Sequence, residues 1–151
     1  MWALGDVSSP WMLKHVANHE ARIVAHNLHD PEHPARNDRR PVPHAVFGHP
    51  QIAAVGLTER EAREGGLDVV VAVQDYAGTA YGWAMEDDTS FVKIVADART
   101  GRILGAHALG PQASLLIQPL ISAMTFDLRA ADMARGQFWI HPALTEVVEN
   151  A

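Results

Sequence analysis

The last residues of the chain, WIHPALTEVVENA, place a histidine and a glutamate where they could do acid–base chemistry. Because proline fits the first turn of a helix, the sequence predicts that Pro142 opens a final helix with His141 just outside it. Glu146 would then lie about one turn inside this helix, and its carboxylate could fold back to orient the imidazole. Such a histidine is suited to general acid–base catalysis, although the same spacing also occurs in surface and capping pairs.

Strand patterns before this motif could form the sheet that holds it. HAVFG is predicted to be a short strand, and LDVVVAVQDY is a longer one rich in β-branched residues. SFVKIVAD alternates apolar and polar residues and runs through ARTG into RILGAHALG. This pattern predicts a hairpin that turns at Thr100 and Gly101.

Helix patterns separate these strands. Thr58 and Glu61 have the spacing of a capping box, for a helix that ends at Gly65 and Gly66. ASLLIQPLISAM has helical periodicity with a kink expected at Pro119, and RAADMARG predicts a shorter helix. We therefore expect an α+β fold in which one antiparallel sheet packs against helices.

Large apolar residues outside the strands are expected to contribute packing. Trp83, Met85 and Trp139 are predicted to lie in the core or an interface, and Trp139 could alternatively line a cleft beside His141. A core or dimer-facing helix is predicted for the apolar set Leu115, Leu116, Leu120, Ile121 and Met124.

The N-terminal part has a different pattern. Residues 1–28 predict a turn and a helix, with Pro10 in the first helical turn. The helix has an apolar stripe formed by Leu13, Val16, Ala17, Ala21, Val24 and Leu28. Residues 29–43 contain four prolines among charged residues and histidines, which is typical of a linker. The stretch RNDRR within it is predicted to be a solvated loop.

Composition excludes several classes of function. The net charge of −6 and the lack of a long basic stripe argue against a nucleic-acid partner. No apolar run reaches the roughly 18–20 residues of a membrane span. The absence of cysteine excludes disulfides and thiolate metal sites in this chain, and fits a cytoplasmic protein. His15 and His19 could share one helix face for a metal ion, but no carboxylate or cysteine cluster completes a site, so no metal site is predicted.

Several motifs together resemble the flavin-dependent pyridine nucleotide–disulfide reductases, which include glutathione reductase and dihydrolipoamide dehydrogenase. They are the closing His-Pro-x-x-x-Glu, LGDVSSPWMLKHVANHEAR near the start, and PHAVFGHPQIAAVGLTEREA in the middle. KHVANHEAR, QDYAGTAYGWAMED and ARGQFWIHPALTEVVENA resemble most closely the branch of this family that reduces a mycothiol-type disulfide. The resemblance spans essentially the whole chain.

The resemblance implies a division of the chain and a flavin-facing segment. Residues 1–28 would belong to the FAD-binding domain, residues 29–43 would be the linker, and residues 44–151 would form the dimerisation domain. Asp6 would hydrogen-bond the ribityl chain of the flavin. Backbone N–H groups at the start of the following helix would face the flavin pyrimidine ring, at the matching positions Met12, Leu13, Lys14 and His15.

The resemblance also gives the closing pair a role. His141 and Glu146 would be an acid–base dyad that acts on the redox-active cysteine pair of the other subunit in a homodimer formed through residues 44–151. FAD and NADPH would be the cofactors of the full-length enzyme. Because this chain has no cysteine pair and no Gly-x-Gly-x-x-Gly motif, we expect it to be the C-terminal part of such an enzyme, to bind neither cofactor and to be inactive alone. The alternative is an isolated dimerisation or interaction module without chemistry.

Overall fold

In the computed structural model, which describes residues 1–38 and 41–151, the chain divides into two units, Met1–Val42 and Pro43–Ala151. The predicted solvated loop RNDRR includes Arg39 and Arg40, which lie outside the described residues. None of the helices in the described part of the chain is long and apolar enough to span a membrane.

The second unit is built on one five-stranded antiparallel sheet, and the predicted α+β fold class is confirmed. The strand order is β1-β2-β5-β4-β3. The strands are β1 (His44–Val46), β2 (Gln51–Gly56), β3 (Val69–Asp75), β4 (Phe91–Asp97) and β5 (Ile103–Gly110). Strand β2 was not predicted, because its run of small residues, IAAV, gives a weak strand pattern, yet β2 pairs with both β1 and β5.

The β4–β5 hairpin forms as predicted. Phe91 pairs with Leu109, and the register continues with one irregularity between Val95 and Ala96. Gly101 has a φ of +71°, which explains why glycine stands at the turn. Asp97 stabilises the same turn, since its carboxylate accepts hydrogen bonds from the backbone and hydroxyl of Thr100.

Helices pack on the sheet and close the core. The helices of the second unit are α2 (Glu59–Glu64), α3 (Ala80–Ala84), α4 (Ala113–Leu116), α5 (Gln118–Thr125), α6 (Ala130–Arg135) and α7 (Glu146–Asn150). Helix α1 (Lys14–His29) belongs to the first unit. The predicted capping box is present, because Thr58 accepts from the Glu61 amide and the Glu61 carboxylate accepts from the Thr58 amide. The main core joins the sheet to α4, α5 and α7 through Val92, Ala106, Leu116, Leu120, Val147 and Val148.

The helix predicted over residues 113–124 is wrong as a single kinked element. The structure has two helices, α4 and α5, with Ile117 between them and Pro119 in the first turn of α5. Proline lacks the amide hydrogen of a continuous helix and its ring clashes with the carbonyl four residues earlier, so the break precedes Pro119. Leu116 and Leu120 are buried as predicted, whereas Leu115 is exposed.

The prediction that Pro142 opens the last helix is also wrong. Residues 141–145 form turns, and α7 begins at Glu146, which is therefore the first helical residue and not one turn inside. The amide of Glu146 donates to the Ala143 carbonyl and that of Val147 to the Leu144 carbonyl. Each of these hydrogen bonds spans three residues, as in a tight turn. This arrangement buries Leu144 in the core, so tertiary packing fixes the start of the helix.

The first unit contains a 3₁₀ turn at Gly5–Val7 and helix α1. The prediction that Pro10 lies in the first helical turn is wrong, because α1 begins only at Lys14. Met12 has a φ of +45°, which a right-handed helix does not allow, and Leu13 is extended. Asn27 is buried, and its side chain hydrogen-bonds both the amide and the carbonyl of Ala35. These two bonds hold the chain at Ala35 against α1.

Candidate active site

His141 and Glu146 are in direct contact at the end of the second unit. The distance between His141 Nδ1 and Glu146 Oε1 is 2.8 Å. The histidine side chain is 69% exposed, whereas the glutamate side chain is only 17% exposed. The carboxylate is thus held against the protein while the imidazole projects outwards, and Nε2 is the ring nitrogen left for a reactant.

Electrostatics fix which ring nitrogen carries the proton. The hydrogen bond to His141 is the main cause that lowers the pKa of Glu146, helped by the Ala143 amide and opposed by desolvation. Because the ionised carboxylate can only accept hydrogen bonds, Nδ1 must be the donor. The neutral imidazole therefore presents the Nε2 lone pair to the outside, which is the tautomer required of a general base.

The core holds this dyad in place through the residues around Glu146. Leu144 before it and Val147 and Val148 after it are all buried. The second carboxylate oxygen of Glu146 accepts from the Ala143 amide at 3.3 Å. Glu146 is therefore fixed by packing on both sides and by two hydrogen bonds, and this restricts the orientations of the imidazole.

A groove of about 480 Å³ begins beside His141. It is lined by Ala77, Gly78, Thr79, Ala80, Tyr81, Trp83, Ala84, His141 and Pro142. Helix α3 forms its far wall and was not predicted to contribute to the site. The segment QDYAGTAYGWAMED entered the sequence prediction as a motif of the family resemblance, and Trp83 entered it as a packing residue. Neither was connected to His141, because no local spacing links residues 77–84 to that position.

Close backbone packing fixes α3. A Cβ atom added to Gly82 would lie 1.9 Å from the Tyr76 carbonyl oxygen, so only glycine allows this approach. The Thr79 hydroxyl donates to the same carbonyl at 2.9 Å and accepts from the Gly82 amide at 3.3 Å. Tyr76 is fully buried, its hydroxyl donates to the Pro111 carbonyl, and burial together with Asp87 raises its pKa to about 12. The wall is thus anchored to the core.

The three large residues predicted to pack have different environments. Trp139 packs against the core, and its indole N–H donates to the Ala134 carbonyl at 2.8 Å. Trp83 is 75% exposed and Met85 is 38% exposed, so a place in the core of this unit is wrong for both. Trp139 is not among the residues that line the groove beside His141.

The residues predicted to face a flavin lie in the first unit. Asp6 is exposed in the 3₁₀ turn, Met12 and Leu13 precede α1, and Lys14 and His15 begin it. Among the described residues, no side chain caps this helix end, since the N-cap residue is Leu13. A sixteen-residue helix with an uncapped N-terminus can bind an anionic or electron-rich group, so this segment fits the pyrimidine side of a flavin.

A hydrogen bond ties the 3₁₀ turn to α1. The amide of Gly5 donates to the Glu20 carboxylate at 2.6 Å, and Gly5 is buried with a φ of +71°. This contact of Glu20 was not predicted from the sequence, because it spans fifteen residues. His19 lies 3.3 Å from the carboxylate of Asp38. Within residues 1–38 and 41–151, no three histidines or carboxylates converge on a metal-binding arrangement.

A family model matches most of the chain. Residues 42–151 match the pyridine nucleotide-disulphide oxidoreductase dimerisation domain. Among curated proteins, mycothione reductase of Mycobacterium tuberculosis is 63% identical over 155 aligned residues, covering 100% of this chain and 34% of that protein. Dihydrolipoyl dehydrogenase of Mycobacterium leprae is 39% identical and covers 99% of this chain and 32% of that protein. The chain therefore spans about one third of the length of the relatives it matches.

Solved structures agree with this match. The HOCl-induced flavoprotein disulfide reductase RclA from Escherichia coli superposes with a TM-score of 0.86 at 30% sequence identity, covering 97% of this chain and 34% of that one. LpdA from Mycobacterium tuberculosis also superposes with a TM-score of 0.86, at 26% identity, covering 98% of this chain and 32% of that one.

Proposed function

The chain belongs to the pyridine nucleotide–disulphide oxidoreductase family through its dimerisation domain, and on that basis we propose that it contributes the His141–Glu146 dyad to the active site of a mycothione reductase-like enzyme. The single observation that carries the proposal is the 2.8 Å contact that leaves His141 Nε2 exposed. The 63% identity to a mycothione reductase supports a mycothiol-type disulfide as the substrate of the full-length enzyme.

The dyad would move protons during thiol–disulfide exchange. A thiolate of the partner subunit's cysteine pair attacks one sulfur of the substrate disulfide, and the other sulfur leaves as a thiolate. Nε2 of His141 takes the proton from the attacking thiol and returns it to the departing sulfur. Glu146 keeps the proton on Nδ1 and stabilises the imidazolium that forms between these two events.

FAD and NADPH belong in this proposal to the full-length enzyme. Bound FAD would pass electrons from NADPH to the cysteine pair. In this chain, the uncapped start of α1 and the exposed carboxylate of Asp6 are the groups that would orient the flavin. Residues 1–28 would thus form part of the FAD-binding domain, residues 29–43 the linker, and residues 44–151 the dimerisation domain of a cytoplasmic homodimer.

Complementation across a mixed dimer tests the function. The partner is full-length mycothione reductase of Mycobacterium tuberculosis in which the histidine aligned with His141 is changed to alanine. If the chain supplies its histidine to the partner's cysteines, the purified mixed dimer regains disulfide-dependent NADPH oxidation. Matched mixed dimers made with His141→Ala stay inactive. In those made with Glu146→Gln, the rate of disulfide-dependent NADPH oxidation falls roughly 10²–10⁴-fold, the usual contribution of a positioned acid–base group.

The same experiment decides between the two readings of the chain. Native mass spectrometry first establishes that tagged chain and full-length partner form a one-to-one complex. A complex that forms normally but shows no more activity than its His141→Ala control supports a dimerisation module without chemistry, and the catalytic proposal is then wrong.

A further inference from the structure

The segment that carries His141 to its place has little backbone structure of its own. Residues 136–141 connect α6 to the dyad and belong to no helix or strand. Within the described part of the chain, the amides of residues 137–141 donate no backbone–backbone hydrogen bond. Phe138 and Ile140 are largely exposed, so they do not attach the segment to the core. Trp139, between them, packs against the core and is therefore a main attachment of this segment.

Two side chains of this segment bind the last turn of α6. The Trp139 indole N–H donates to the Ala134 carbonyl at 2.8 Å. The Gln137 side-chain amide donates to the Met133 carbonyl at 3.1 Å. Because the last carbonyls of a helix have no partner within the helix, both bonds satisfy acceptors that would otherwise need water. Helix α6 is itself fixed, since Met133 is buried and the Ala130 amide donates to a carbonyl of the β4–β5 turn.

Resting on the proposed function, we propose that Trp139 is a positioning residue, which keeps the imidazole of His141 within reach of Glu146 by tying the histidine's segment to α6. The dyad then has two supports, because α7 fixes the carboxylate and the bond to α6 fixes the chain two residues before the imidazole. Among the described residues, Glu146 is the one hydrogen-bond partner of the ring, so the ring lies where its backbone places it. A displacement of about 1 Å at a reacting group can lower a rate roughly a hundredfold.

The tautomer of His141 tests the positioning directly in the chain itself. Trp139→Phe keeps an aromatic ring but removes the N–H donor. In ¹⁵N NMR spectra at alkaline pH, where imidazoles are neutral, the His141 signals are identified by their loss in His141→Ala. We expect the proton on Nδ1 in the wild type and a larger fraction on Nε2 in Trp139→Phe, because a displaced ring loses its bond to Glu146. Trp2→Phe, the same change at a tryptophan that is 52% exposed in the first unit, should leave the tautomer unchanged.

Kinetics of the mixed dimer test the same idea during turnover. Trp139→Phe should lower kcat about tenfold and leave KM nearly unchanged, because Trp139 does not line the groove beside His141 and only the aim of the imidazole changes. Gln137→Ala removes the weaker bond to α6 without touching the core, so it should change the tautomer and kcat in the same direction by a smaller amount. A loss that appears in KM alone contradicts the proposal.

The two proposals can fail separately. If the wild-type chain restores no activity, the catalytic role of the dyad is wrong, and the tautomer still decides whether Trp139 positions the imidazole. If Trp139→Phe lowers the thermal midpoint but leaves the tautomer and kcat unchanged, Trp139 has only a structural role and the positioning role is wrong. If Trp139→Phe does not fold, Gln137→Ala decides, and an unchanged tautomer in that variant overturns the proposal.

Discussion

Replacing Val147 by alanine tests how the core positions the dyad. Val147 has no exposed surface and directly follows Glu146 at the start of α7. The change removes two methyl-sized groups, worth about 0.8 kcal/mol each in transfer from water. The cavity left beneath α7 adds a further cost of about 1 kcal/mol. We therefore expect the free energy of unfolding to fall by about 2–3 kcal/mol.

Urea unfolding gives the measurement. The indole N–H signal of Trp139 reports on the second unit, because this group donates to the Ala134 carbonyl in the folded state. At a slope of about 1–3 kcal/mol per molar urea, the midpoint should fall by roughly 1–2 M. Val46→Ala is the matched control, because Val46 is 59% exposed in β1 and its truncation should cost less than about 0.5 kcal/mol.

The comparison also links packing to the site. A loosened α7 should weaken the contact between Glu146 and His141, so the carboxyl pKa of Glu146 should move back towards its ordinary value in the folded Val147→Ala variant. The free energies of unfolding lost in Val147→Ala and in Val46→Ala should differ by more than about 1 kcal/mol. A smaller difference would mean that burial of Val147 does not hold α7 and the dyad in place.

Two further predictions concern the dyad and the groove wall. The hydrogen bond from His141 holds the folded-state pKa of Glu146 below its ordinary value, so the contribution of this carboxylate to stability is present above the unfolded pKa and is lost as pH falls through the folded one. A ¹³C carboxyl titration should show this low midpoint, and His141→Ala should raise it. Gly82→Ala should displace α3 or unfold it, because the new Cβ would lie 1.9 Å from the Tyr76 carbonyl oxygen; circular dichroism and a lower thermal midpoint would report this, and an unchanged midpoint would contradict the packing described.

Local patterns in the sequence predicted much of the sheet and the partners of the dyad. The β4–β5 hairpin and the α2 capping box depend on contacts between residues a few positions apart, and both occur where the spacing places them. The contact between His141 and Glu146 spans five positions, so it too was within reach of sequence reasoning. Its catalytic role is a proposal carried by this contact, and the complementation experiment tests it.

What the tertiary structure alone decided depends on contacts between distant segments. The burial of Leu144 moves the start of α7 to Glu146, although Pro142 is a good first helical residue in isolation. The groove exists because α3, near residue 82, folds beside residue 141, and no local pattern connects positions so far apart. Short-range preferences thus determined most of the elements and the contact between His141 and Glu146. Long-range packing determined the start of α7 and the surface that faces the imidazole, because only the folded core brings α3 and His141 together.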